Sequence, residues 1–335
     1  MKTIYVSKTC YKKAQETFEK FNKQTDYVFE SVDDNELSLA KAIALNNVSA
    51  FIADIVPYQK ELYEALPAGG IIARYGVGHD SIDKELASAN GIYVTNTPGV
   101  LDNAVAEHAC WMLGSVSRHV HQAHQSLVEG DWNPQVGVEL KNKKVTILGF
   151  GGIGQSLCQK LSFGFGMQVT GVGRSTVEQF ALKNQSNIEQ LKAKLGFHNY
   201  THNIDEAIAD ADYVVLLMPV SAETQHMANA DFFQKMKPSA VFVNSARGAL
   251  VCENNLYDAL NQGVIAAAAV DVFEVEPYVP QSTDKDLRTL SNLLVTPHVG
   301  SNTVESNAAM ATSAIQNIIT IIEHGANACP NIINP

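Results

Sequence analysis

Short apolar, β-branched runs alternate with longer helical stretches along the whole of this chain, and no other feature restricts its fold as tightly. The first set of runs covers residues 3–7, 27–30, 50–53, 71–75 and 92–95. The second covers residues 145–150, 168–172, 213–218, 240–244, 266–272 and 293–296. Strands interleaved with helices imply parallel sheets joined by crossover helices. Two sets imply two sheets, and the 335 residues suffice for two domains of roughly 100–200 residues each. The predicted fold is α/β: two Rossmann-like or flavodoxin-like parallel-sheet domains, with an active site in the inter-domain cleft, where ligands usually bind.

Between the two sets, residues 103–127 are mostly helical and run into the turn-rich stretch GDWNPQVG, a natural crossing between domains. Residues 303–324 form a second long helix, with Ala308, Ala311, Ile315, Ile318, Ile319 and Ile322 along its apolar side. If this helix returns to the first domain, the chain crosses twice. Residues 1–101 with 299–335 would then make a substrate-binding domain, and residues 102–298 a dinucleotide-binding domain. Trp111 and Trp132 are expected to be packing residues.

The net charge of −11 argues against nucleic acid or an anionic membrane as a main partner. A local arginine can still hold an anionic substrate. The five cysteines show no disulfide framework and no zinc spacing, which suits reduced thiols in a cytoplasmic protein. The N-terminus has no signal-peptide core, and no apolar run reaches the ~18 residues of a membrane span. The histidines His119, His121 and His124 are not spaced as a helical i, i+4 ligand pair, so they read as a solvated helix face and no metal is expected.

The segment NKKVTILGFGGIGQ carries Gly149-x-Gly151-x-x-Gly154 after a strand and at the start of a helix. In that context Gly149 permits a tight turn, Gly151 lets the main chain approach a pyrophosphate, and Gly154 lets the helix pack on the strand. The helix N-terminus offers N–H groups to the phosphates. Gly152 and Ile153 complete the motif. A flavin or another dinucleotide fits this motif by itself. The next strand ends at Gly173, followed by Arg174 and Ser175. An acid placed there holds the ribose 2′-hydroxyl of NAD, whereas an arginine with hydroxyl neighbours suits a 2′-phosphate. The expected cofactor is therefore NADP(H) in preference to NAD(H).

Three loops follow strands of the second set. They carry Arg247 (NSARG), Asp271, Glu274 and Glu276 (DVFEVEP), and His298 (TPHVG). Ligands of open α/β sheets bind at the carboxyl ends of strands. Reducing a 2-keto acid needs a cation for the carboxylate and a proton donor for the keto oxygen. It also needs a carboxylate to fix the donor's tautomer. Arg247, His298 and Glu276 supply these three groups, with neutral His298 as base in the reverse direction.

With these motifs in place, the chain resembles the D-isomer-specific 2-hydroxyacid dehydrogenase family, which includes phosphoglycerate dehydrogenases, glyoxylate/hydroxypyruvate reductases and D-lactate dehydrogenases. The matching segments are RYGVGHDSID, NTPGVLDNAVAEHA, GFGGIG, LLMPVSAET, NSARGALV, DVFEVEP and TPHVGSNT, in family order. The resemblance implies that Arg247, Glu276 and His298 are the catalytic residues, Glu276 being the acid directly before the proline. It implies that the N–H groups of Val77 and Gly78 hold the substrate carboxylate, and that Val105, Ala246 and Asp271 meet the nicotinamide half. It places Pro219 and Thr224 along the cofactor, and implies a homodimer joined through the cofactor domain. The substrate side chain should meet residues 54–58 and 74–75.

Two departures stand out. Gly173 in place of an acid resembles the NADP-preferring reductases of the family. The stretch 175–203 is longer than usual and reads helical and polar, either covering the adenine end or forming a surface contact. The leading expectation is an NADP(H)-preferring 2-keto acid reductase of the glyoxylate/hydroxypyruvate type. Its alternative is an NAD-linked phosphoglycerate or D-lactate dehydrogenase, in short form because no regulatory domain follows residue 335. From another class comes a dinucleotide-sensing, corepressor-like binding protein, against which the intact Arg/Glu/His set argues.

Overall fold

The structure is a computed structural model that describes residues 2–334. The chain divides into two compact units, one built from the N-terminal stretch up to Leu101 together with the stretch from Asn302 onward, the other from Asp102–Ser301. Elements are numbered in chain order.

The first unit holds strands β1 (Lys2–Ser7), β2 (Tyr27–Val32), β3 (Ala50–Ala53), β4 (Ile71–Arg74) and β5 (Tyr93–Thr95). Its helices are α1 (Lys8–Lys13), α2 (Gln15–Gln24), α3 (Glu36–Asn46), α4 (Lys60–Ala65), α5 (Lys84–Ala89) and the late α14 (Val304–His324). The sheet is parallel with order β2-β1-β3-β4-β5, the flavodoxin-like arrangement. Helices cover both faces of such a sheet, so β3 and β4 are buried at every position. Ile332 and Asn334 extend the edge of this sheet. Asn334 accepts from the Val94 N–H at 2.6 Å and donates to the Ile92 carbonyl at 2.8 Å, and Ile332 bridges Thr95 antiparallel. Asn334 is thereby a buried polar residue with its hydrogen bonds made.

The second unit holds β6 (Lys144–Leu148), β7 (Gln168–Val172), β8 (Phe197–Thr201), β9 (Tyr213–Leu216), β10 (Val241–Asn244), β11 (Ala267–Val270) and β12 (Leu293–Val295). Its helices are α6 (Asp102–Ser117), α7 (Val120–Val128), α8 (Gly152–Gln159), α9 (Val177–Lys183), α10 (Ile188–Leu195), α11 (Ile204–Ala209), α12 (Ala230–Lys235) and α13 (Glu253–Asn261). The strand order is β12-β11-β10-β9-β6-β7-β8, all parallel. Succession leaves β6 in one direction through β7 and β8, and in the other through β9 to β12. The crevice between β6 and β9 is the topological switch point, where ligands of this architecture bind. One face of the sheet is packed by α6 and α8 through Ala106, Leu113, Leu157 and Cys158, the other by α12 and α13 through Phe232, Phe233 and Leu256.

The structure departs from the sequence expectations at three places. The stretch 175–203 is not simply helical: two helices with N-terminal capping boxes, α9 and α10, lead into the edge strand β8. FHNYT hides its strand character because β8 pairs on one side only, and a register shift opposite Val169/Thr170 leaves His198 bulged between Phe197 and Asn199. The crossing helix is broken between α6 and α7, where His119 takes φ +52°. Trp111 and Trp132 are not packing residues. Trp111 is 72% exposed on the outward side of α6, whose inward stripe is Ala106, Ala109, Leu113 and Val116; Trp132 is 86% exposed in the irregular stretch after α7. No helix among the described residues is long and apolar enough to cross a membrane.

Candidate active site

The three strand-end loops bearing Arg247, Glu276 and His298 follow β10, β11 and β12, which are neighbours in the sheet. Parallel strands end at one edge, so adjacency delivers the loops side by side. The tightest join is at Gly248, where a Cβ would stand 1.9 Å from the Phe273 carbonyl carbon and 2.2 Å from the Glu274 nitrogen. Only glycine allows this main-chain contact between the Arg247 loop and the Glu276 loop.

His298 Nδ1 lies 2.6 Å from Glu276 Oε2, and Glu276 Oε1 accepts from the Phe273 N–H at 3.0 Å. The two side chains are 28% and 24% exposed, so solvent reaches the pair. Of the two acids in this loop, Glu276 is therefore the histidine's partner. Glu274 pairs instead with His226.

Asp271 fixes the His298 loop. Its carboxylate accepts from Thr296 Oγ1 at 2.6 Å, the Val299 N–H at 2.9 Å and the Gly300 N–H at 2.8 Å. The His298 N–H donates to the Asp271 carbonyl at 2.7 Å. His108, on α6, approaches Asp271 Oδ1 to 3.3 Å and Thr296 Oγ1 to 3.2 Å. Burial of Asp271 would by itself raise its carboxyl, but hydrogen bonds from His108, Thr296 and the Val299 N–H outweigh it and hold the group below the usual carboxylate range. The anchor matters because His298 has φ +51°, a left-handed conformation costing a non-glycine residue roughly 1–2 kcal/mol.

Arg247 opens the turn after β10. Its Nη1 donates to the Ala246 carbonyl at 2.7 Å. Asn244, fully buried, holds the turn from beneath by accepting from the Ala246 N–H at 3.0 Å and donating to the Arg247 carbonyl at 3.0 Å. Glu253, also buried, accepts from the Glu274 N–H at 2.8 Å. Burial, then the charges of Glu274 and Glu276, push the Glu253 carboxyl up. Sequence reasoning missed Asn244, Glu253, His108 and Thr296. The available signal was a polar residue closing or following an otherwise apolar run.

The glycine turn lies after β6, at the switch point. Gly149 has φ +103°, and a Cβ there would strike the Leu217 carbonyl at 2.5 Å; one on Gly154 would strike the Gly149 oxygen at 2.2 Å. A Cβ on Gly151 meets nothing within 4 Å. Main chain facing open space at the head of α8, with its two flanking glycines tightly packed, fits a dinucleotide pyrophosphate. Gly152 and Ile153 form the first turn of α8, and Ile153 rests on the core. Val105 lies near Gly300, 3.8 Å from its would-be Cβ, as Asp271 does at 3.0 Å, and Ala246 is buried beside Arg247. Pro219 and Thr224 belong to one loop after β9, in which the Thr224 hydroxyl donates to the Pro219 carbonyl at 2.9 Å. Arg174, exposed, and Ser175 follow β7. In the first unit, Val77 and Gly78 follow β4, and the Val77 carbonyl accepts from Asn96 Nδ2 at 2.8 Å.

Asp271→Asn tests the anchor. An amide offers one acceptor oxygen where the carboxylate serves Thr296, Val299, Gly300 and His108, and turns an NH2 toward a donor. We expect a stability loss of about 2–4 kcal/mol by urea unfolding near neutral pH. Because the native Asp271 pKa is lowered, its contribution is complete above about pH 4 and fades as pH falls, so the gap between wild type and variant should narrow in acid. A constant gap from pH 7 to pH 3 would contradict this account.

The chain is similar to known proteins. A family model described as D-isomer specific 2-hydroxyacid dehydrogenase, NAD binding domain, matches residues 110–300. A glyoxylate reductase of Pyrococcus furiosus is 38% identical over 269 residues, covering 78% of this chain and 75% of that protein. Glyoxylate/hydroxypyruvate reductase B of Cronobacter sakazakii is 32% identical, covering 88% and 87%. The crystal structure of an NADPH-dependent glyoxylate/hydroxypyruvate reductase from Sinorhizobium meliloti, in complex with NADP and malonate, has a TM-score of 0.78 at 28% identity, covering 97% of this chain and 94% of that one. The chain belongs to the D-isomer specific 2-hydroxyacid dehydrogenase family, oxidoreductases with a dinucleotide-binding domain.

Proposed function

We propose that this dehydrogenase is an NADP(H)-preferring reductase of small 2-keto acids of the glyoxylate and hydroxypyruvate type. The observation that carries the chemistry is the His298–Glu276 pair at 2.6 Å, on a loop anchored by Asp271. The relatives named as glyoxylate reductases support the substrate class. The Gly173-Arg174-Ser175 sequence at the end of β7 supports the cofactor.

A nicotinamide dinucleotide held along the glycine turn supplies the hydride. Arg247 binds the substrate carboxylate, for which a guanidinium fork is suited. Val77 and Gly78 are proposed main-chain donors to a carboxylate. As the carbonyl carbon is reduced, its oxygen gains charge and takes a proton from His298 Nε2. Glu276, on Nδ1, fixes the tautomer and supports the charged imidazole. In the reverse direction neutral His298 takes the hydroxyl proton. Val105, Ala246 and Asp271 are assigned to the nicotinamide half, and Pro219 and Thr224 to the rim of the cofactor site. The five free cysteines, four of them buried, suit a reducing cytoplasm. Trp111, Leu127, Val128, Trp132 and Val136 are exposed apolar side chains of the second unit, of the kind a homodimer interface would cover.

Three measurements test this reading. Rates with NADPH and NADH over glyoxylate, hydroxypyruvate, pyruvate and branched 2-keto acids should favour NADPH and the two smallest polar acids. Preference for NADH, or for branched acids, would overturn that part. His298→Ala should lower kcat by about 10²–10⁴-fold while NADPH still binds, as read by its fluorescence. Near-normal turnover would remove His298 from the mechanism. Sedimentation of Trp111→Glu should show a monomer where the wild type sediments as a dimer, and an unchanged dimer would place the interface elsewhere.

A further inference from the structure

Two glycines alternate on one face of β7 and just beyond it. A Cβ on Gly171 would fall 2.6 Å from the Phe150 ring, and one on Gly173 would fall 2.2 Å from the Tyr200 hydroxyl. The slot these glycines leave is filled by the two rings. Phe150 is the residue between Gly149 and Gly151 of the dinucleotide turn. Its ring meets Phe180 of α9 at 5.7 Å, Phe197 of β8 at 5.8 Å and Tyr200 of β8 at 5.8 Å, edge to face in each case. Phe180 and Tyr200 stack at 4.6 Å with 12° between their planes. The long stretch after β7 therefore builds an aromatic wall that backs the glycine turn and carries one phenol to the end of β7.

At that end the Tyr200 hydroxyl shares a hydrogen bond of 3.2 Å with Ser175 Oγ, next to exposed Arg174. This is the place where an acid would hold a ribose 2′-hydroxyl. Here an acid is excluded twice. A side chain at 173 meets the Tyr200 hydroxyl at its first carbon, that hydroxyl pairs with Ser175 Oγ, and exposed Arg174 is the intervening residue in sequence, a donor set for a phosphate monoester. Glu178, the nearest acid in the sequence, is turned to Thr176 and its own N–H.

We propose that Tyr200 sets the cofactor specificity of this enzyme: its hydroxyl, with Ser175 Oγ and the Arg174 guanidinium, binds the 2′-phosphate of NADP(H), and its ring bars an acid from position 173. The inference rests on the NADP(H) reading above and names the residue that enforces it.

The test is equilibrium binding, by calorimetry, of NADPH, NADH, adenosine 2′,5′-bisphosphate and 5′-AMP to the full chain. Tyr200→Phe keeps the ring in its slot and removes only the hydroxyl. It should lower the NADPH-to-NADH affinity ratio about tenfold, and the bisphosphate-to-AMP ratio by a similar factor. A wild-type ratio in Tyr200→Phe overturns the inference. If Arg174→Ala abolishes the preference while Tyr200→Phe keeps it, the NADP(H) reading stands and the Tyr200 assignment falls. A wild-type enzyme that binds NADH more tightly overturns both. As a second arm, Gly173→Asp alone should lower the melting temperature without gaining NADH affinity, and Gly173→Asp with Tyr200→Ala should gain it. A stable, NADH-binding Gly173→Asp single variant would overturn the steric half of the argument.

Discussion

The buried carboxylate of Asp271 is the interaction on which the proposed chemistry depends. A proton donor must be held within a few tenths of an ångström of where it acts, yet His298 sits in a loop, in a backbone conformation that side chains disfavour. Asp271 resolves this by collecting the hydroxyl of Thr296 and the N–H groups of Val299 and Gly300 at distances of 2.6–2.9 Å. The loop is folded around one anion, and the imidazole proposed as the proton donor is carried on its rim. Anion and loop need each other, since the carboxylate would be costly to bury without those donors.

The sheet supplies the second constraint. β10, β11 and β12 pair in register, so their ends lie at successive strand spacings along one edge. The loops then touch main chain to main chain at Gly248, and Asn244 and Glu253 tie down the N–H and carbonyl groups exposed where the strands stop. Arg247 and Glu276 are thus fixed by neighbours that need no contact with a substrate. Two buried polar residues lie beneath the two more accessible side chains assigned to the chemistry.

The features legible in the sequence are those set by local pattern. Runs such as YVVLLM in the second set announce strands because both faces are buried, and the glycine spacing at 149–154 announces a turn because no other residue fits. The loops bearing Arg247, Glu276 and His298 could be placed because they follow such runs. What escaped was set by partners distant in sequence. Glu253 looks like an ordinary first-turn helix acid until Glu274 is seen to donate to it. Trp111 carries the composition of a core residue on the wrong stripe of its helix. Gly173 could be read as the absence of an acid, but not as room made for a ring 27 positions later.

That ring arrives by way of the bulge at His198. In an unbroken strand, residues 197 and 200 differ by an odd number of positions and face opposite sides. The extra residue resets the alternation, so that Phe197 and Tyr200 both reach Phe150. The phenol's place therefore depends on the length of the edge strand as much as on its side chains. Loss of the bulged residue alone would leave Phe197 and Tyr200 two positions apart and still on one face, whereas one further residue inserted before Tyr200 in regular strand would turn the phenol to the outer face and open the space beside Gly173. On the proposed reading, the nucleotide preference can then change by a single insertion, a route that a scan of point substitutions does not explore.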